Sequence, residues 1–162
     1  MSKVECVIKN LHSVQAYFGL IEEIEPEKVL DVGMLLKRIG SCTRMALQHE
    51  ISDEIELTGV DLFPEIEFEI WNKVYDEIWN FNDFLKQQKN ECYDLAVLLD
   101  IFPIISVDEQ EKLWNRIRGR ARYILVDTKQ LIPSSFQGKI NALTIGGVQY
   151  FLLHDEGELY GN

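Results

Sequence analysis

ECYDLAVLLDIFP, residues 91–103, holds the choice that decides the fold. Leu95 to Leu99 are consecutive apolar residues, a run that reads as the middle of a short helix. Pro103 stops a helix, because it lacks an N–H and drives the residue before it out of helical geometry. The flanking segments carry helical punctuation, so the run reads as a short apolar helix over about 91–101 in an α-rich chain.

Working outward toward the N-terminus, Ser2 and Glu5 form a capping-box pair, in which hydroxyl and carboxylate each satisfy an orphan amide. Val4, Val7, Leu11, Val14, Phe18 and Ile21 then alternate by three and four, which predicts a first helix over about 3–24. Pro26 suits the first turn of a second helix. Val29, Val32, Leu36, Ile39, Thr43 and Ala46 carry that spacing to about residue 49, with Gly33 and Gly40 as weak points or close approaches. A connector with room for a short strand at 55–57 leads to Pro64, which opens a third helix reaching about residue 89.

Toward the C-terminus, Ser106 and Glu109 repeat the capping box, and Leu113, Ile117, Ala121, Ile124 and Leu125 mark a fifth helix. The period then changes. KINALTIGGVQYFLLHDEGELYG alternates around Gly146-Gly147, a two-residue hairpin signal that pairs Ile145 with Val148 and Leu143 with Tyr150. The expected architecture is mostly α: about five helices over 3–127 and a β-hairpin over 139–160, in one domain spanning 1–162.

The 162 residues suffice for one domain, which at this length buries roughly 70% of its unfolded surface without a staple. Cys6, Cys42 and Cys92 are odd in number and far apart, which points to buried thiols in a reducing compartment. No apolar run approaches the ~18 residues of a membrane span, and the first residues have no signal-peptide pattern. The expected location is cytoplasmic.

The net charge is −11, and it is concentrated. Residues 50–83 hold eleven acids and one base, Lys73, hence −10, leaving −1 for the rest. Such a segment repels nucleic-acid phosphates and draws in basic partners. Read as a helix, residues 64–89 place Ile66, Ile70, Val74, Ile78, Phe81, Phe84 and Leu85 on a core face, with Phe68, Tyr75 and Trp79 on a second stripe. That stripe serves a neighbouring helix or a partner.

These features predict a non-enzymatic intracellular binding protein that blocks a basic surface, as an immunity protein, antitoxin or nucleic-acid-mimicking inhibitor does, with no cofactor. The expected partner is a basic protein, such as a nuclease. Asp53, Glu54, Glu56, Asp61, Glu65, Glu69 and Asp76 would steer it, with Phe68, Tyr75 and Trp79 as anchors.

Two other chemistries are written in short motifs. The Glu91-Cys92-Tyr93-Asp94 pair before an apolar run resembles the second carboxylate pair of all-α nucleotide pyrophosphohydrolases of the MazG and dUTPase kind. The resemblance implies magnesium held by Glu91 and Asp94 and a nucleotide substrate. Arg44 and His49 have the spacing of HEPN-type helical ribonucleases, which implies RNA cleavage, and His154-Asp155 is similar to the HD dipeptide of metal phosphohydrolases. Arg116, Arg118, Arg120 and Arg122 form a basic run that a helical nucleic-acid module would use. No phosphate-binding glycine loop, nucleophile elbow or zinc spacing occurs.

Overall fold

The computed structural model describes residues 3–33, 54–62 and 75–159. Local signals hold. Helix α1 spans Lys3–Ile24 and lays Ala16, Tyr17, Leu20 and Ile21 on the core. Helix α3, Val107–Ile117, begins with the full capping box: Ser106 Oγ accepts from the Glu109 N–H at 3.2 Å, and Glu109 accepts from the Ser106 N–H at 2.9 Å. Strands β6 (Lys139–Ile145) and β7 (Val148–His154) pair around Gly146-Gly147, with Ile145 opposite Val148 and Leu143 opposite Tyr150.

The helical bundle does not. The run that opened the sequence analysis is a strand, β4 (Tyr93–Leu98), at the centre of a seven-stranded sheet. The expected second helix starts instead as β1 (Lys28–Val32), and β2 (Glu56–Asp61) extends the short strand expected there. Of the expected third helix, 64–74 lie outside the described residues; 77–80 form β3 (Glu77–Asn80), and only α2 (Phe81–Lys86) is helical. The expected fifth helix stops at Ile117, and Gly119, at φ 69°, turns the chain into β5 (Ala121–Val126).

The strand order is β3-β2-β1-β4-β5-β7-β6. The strands from β3 to β5 in that order are parallel, and β7 runs antiparallel to both its neighbours. Parallel strands covered on both faces are apolar throughout, so KVLDV, YDLAVL and ARYILV satisfy a three/four spacing as readily as a strand reading. On one face α1 packs on Val29, Leu57, Leu95, Val97 and Tyr150. On the other, Phe84 of α2 and Leu113 and Ile117 of α3 cover Leu30, Val60, Ala96, Leu98, Ile124 and Val126.

The β1–β4 seam is pinned at its amino end by Asp94, whose carboxylate accepts from the N–H groups of Glu27 at 2.8 Å and Lys28 at 2.9 Å. At the other end of the sheet, the β6–β7 turn lies beneath α1. Gly146 has φ 58°, and a Cβ there would run into the His12 imidazole. No described helix is long and apolar enough to cross a membrane.

Two variants test these locks by urea unfolding. Asp94→Ala leaves two amides without their acceptor and is expected to cost about 2–4 kcal/mol, equally with and without magnesium. Gly146→Ala is expected to cost about 1–3 kcal/mol, because the left-handed backbone and the imidazole both oppose a side chain.

Candidate functional site at the carboxyl edge of the sheet

Chain order reverses between β1 and β4, and ligands of open α/β sheets bind outside the carboxyl ends of the strands at such a point. The residues gathered there are carboxylates. Asp31, near the end of β1, is fully buried and accepts from the Tyr75 hydroxyl at 2.5 Å. Gly33 then leaves the strand at φ 94°, its N–H donating to the Val60 carbonyl at 2.8 Å. One strand over, Asp61 ends β2, fully buried, in register with Asn80 at the end of β3.

Beyond β4, Asp100 sits at φ 59°, a left-handed conformation that Asp tolerates better than most residues. Two bonds hold it. Ser13 Oγ donates to Asp100 Oδ2 at 3.1 Å, and the Asp100 N–H donates to Asp127 Oδ2 at 3.0 Å. Ser13 also lies 3.3 Å from the Tyr150 hydroxyl, so α1, the end of β5 and β7 meet in one polar cluster. Burial raises the Tyr150 pKa, and the Asp100 and Asp127 charges add to the rise despite its bond to Ser13, so the phenol stays protonated.

The residues named from the sequence are dispersed. Asp53, Glu65, Phe68 and Glu69 lie outside the described residues, as do Arg44 and His49. Glu54 is exposed before β2, and Glu56 is exposed and 3.3 Å from Lys28. Tyr75 is 3% exposed and its hydroxyl is committed to Asp31, so it presents nothing to a partner. Asp76 accepts from the Leu57 N–H at 2.8 Å and so ties the entry of β3 to β2. Trp79 is half-buried on β3, with Lys89 5.5 Å from its ring. Of the described members of that set, Asp61 lies at the carboxyl edge and the Tyr75 hydroxyl reaches Asp31 there.

The motif residues are also in structural use. Asp94 is the clamp on β1, and Glu91 accepts weakly from the Tyr93 hydroxyl at 3.4 Å and lies 3.9 Å from Lys89. Among the described residues no group of three or more His, Cys, Asp or Glu is placed to hold a metal ion. Arg116 and Arg120 donate to the Lys89 carbonyl at 2.5 and 3.1 Å, and Arg122 donates to the carbonyls of Asp155 and Gly157 at 2.6 and 2.7 Å. They bind backbone, not a phosphate row. His154 stacks on Tyr123 at 4.4 Å.

Sequence reasoning missed Asp31, Gly33, Asp100 and Asp127. The available signal was an apolar run ending in Asp, seen in VLD (29–31), LAVLLD (95–100) and ILVD (124–127).

No protein-family model and no curated protein matches the chain. Solved structures do. The methyltransferase domain of bacterial CtHen1 superposes with a TM-score of 0.64 at 12% identity, covering 90% of this chain and 99% of that one. The N-methyltransferase NodS from Bradyrhizobium japonicum gives 0.51 at 10% identity, over 87% and 94%. The pyocyanin biosynthetic protein PhzM gives 0.57 at 10% identity, over 90% of this chain and 54% of its own. This likeness overturns the helical bundle, and with it the inhibitor, immunity-protein and antitoxin reading and the all-α pyrophosphohydrolase alternative. It also overturns the expectation of no cofactor, since the edge just described is where such sheets hold one. The chain has the Rossmann-like α/β fold of these methyltransferases.

Proposed function

We propose that the chain is a methyltransferase that binds S-adenosylmethionine at the carboxyl ends of β1, β2 and β4. The observation that carries this reading is Asp61: a buried carboxylate at the end of β2, one strand from the Gly33 turn, in the fold described above. In Rossmann-type sheets an acid in this neighbourhood accepts from ribose hydroxyls, and the cofactor's adenosine offers a ribose diol.

The donor set separates this cofactor from a dinucleotide. Asp31, Asp61, Asp100 and Asp127 make the edge rich in carboxylates, a poor setting for a pyrophosphate and a good one for a sulfonium and an ammonium group. The residues present therefore fit the group. Such a cofactor supplies an electrophilic methyl group carried on a sulfonium. Asp61 would orient the ribose, while Gly33 lets the backbone come close to the ligand. The sequence continues Met34-Leu35-Leu36, so this close approach rests on one glycine and a phosphate-cradling loop is absent.

Calorimetric titration tests the proposal. S-adenosylmethionine and S-adenosylhomocysteine are expected to bind with one site per chain, and NAD is expected not to bind. Asp61→Ala, checked for native circular dichroism, should weaken binding about 10–100-fold, the value of charge-assisted hydrogen bonds to a diol. Wild-type affinity in Asp61→Ala, or no heat with either ligand at millimolar concentration, would overturn it.

A further inference from the structure

The link from β5 to β6, residues 127–138, holds one 3-10 turn, Lys129–Leu131, where a full helix could have covered the sheet. Its chemistry explains the brevity. Thr128 Oγ1 accepts from the Gln130 N–H at 3.3 Å to start the turn, and Pro133 begins a second tight turn closed by the Phe136 N–H at 3.0 Å. The flank of β6 and β7 therefore stays open, and a cavity of about 530 Å³ lies against it.

The cavity wall is mixed, apolar side chains together with Ser134 and one charge. Ile132, Phe136, Ile140, Ala142 and Phe151 line it, with Ile140 47% exposed. The Phe136 wall is fixed. Its ring meets Trp114 edge-on at 5.9 Å, and a Cβ at Gly138 would collide with it. Lys129 completes the lining, its Nζ 5.4 Å from the Phe151 ring centre. Lys28, Lys89, Lys112 and Lys139 each pair with a carboxylate, but Lys129 has none within ion-pair distance among the described residues. In a chain of net charge −11, a lysine left facing this cavity is complementary to an anion.

We infer that this cavity is a binding site for a small aromatic acid, its ring held between Phe136, Ile140 and Phe151 and its carboxylate or sulfonate on Lys129. The volume falls in the range of small-molecule sites, roughly 300–1,000 Å³. The cation already sits where an aromatic face and an anion can share it. The site lies on the flank of β6 and β7 and does not rest on the cofactor reading.

The probe is 1-anilinonaphthalene-8-sulfonate, titrated by fluorescence into the full chain without nucleotide, beside its uncharged analogue N-phenyl-1-naphthylamine. Saturable binding at one site is expected. Lys129→Glu should weaken the sulfonate about tenfold or more and leave the neutral dye unchanged. Ala142→Trp, on the exposed face of β6, should fill the cavity and abolish both, with near-ultraviolet circular dichroism confirming native packing. No saturable binding, or binding unaffected by Ala142→Trp, would overturn the inference. So would equal effects of Lys129→Glu on both dyes. A concentration-dependent dimer lost in Ile140→Asp, with no dye bound, would assign the flank to a second copy and overturn it as well.

Discussion

The whole sheet hangs on one short seam. β1 and β4 share three register pairs, Val29 with Leu95, Leu30 with Ala96 and Asp31 with Val97, and every other strand joins on one side of them or the other. A parallel pair cannot be closed by a tight turn, so something other than chain connectivity must hold its ends together. Asp94 does so at the amino end, gathering the amides of Glu27 and Lys28. Side-chain packing from both layers secures the middle. At the carboxyl end Asp31, Gly33, Asp61 and Asp100 gather where chain order reverses.

Legibility followed the range of each interaction. Helix α1, the Ser106–Glu109 cap and the Gly146-Gly147 hairpin are each decided within a few residues, and all three could be read directly. β1, β4 and β5 are decided by partners far along the chain. Their side chains are apolar on both faces, which removes the alternation that marks a half-exposed strand. Pro26 misled in the same way: its fixed φ suits a helix start, but here it stands between Glu25, at φ 51°, and the entry of β1.

The candidate site was less legible still. Asp61 drew notice as one charge in an acidic segment, and its place at the end of β2 exists only once the sheet is assembled. Asp31, Asp100 and Asp127 come from three separate stretches and meet through strand order alone. Of the described acids in residues 50–83, Glu54 and Glu56 stand at the amino end of β2, Asp76 and Glu77 at the amino end of β3, Asp83 in α2 and Asp61 at the carboxyl end of β2. Of these, Asp61 is the one that the candidate site uses.

The β1–β4 seam also sets a problem of timing. Residues 28–32 must wait for residues 93–98, and such non-local pairing slows folding. On a ribosome adding about 5–20 residues per second, the roughly 65 residues between them take about 3–13 seconds to appear. Throughout that interval β1 is an apolar segment with at most β2 beside it. The nascent chain thus carries its central strand exposed for seconds, and its yield in a cell depends on what shelters that strand until β4 is made.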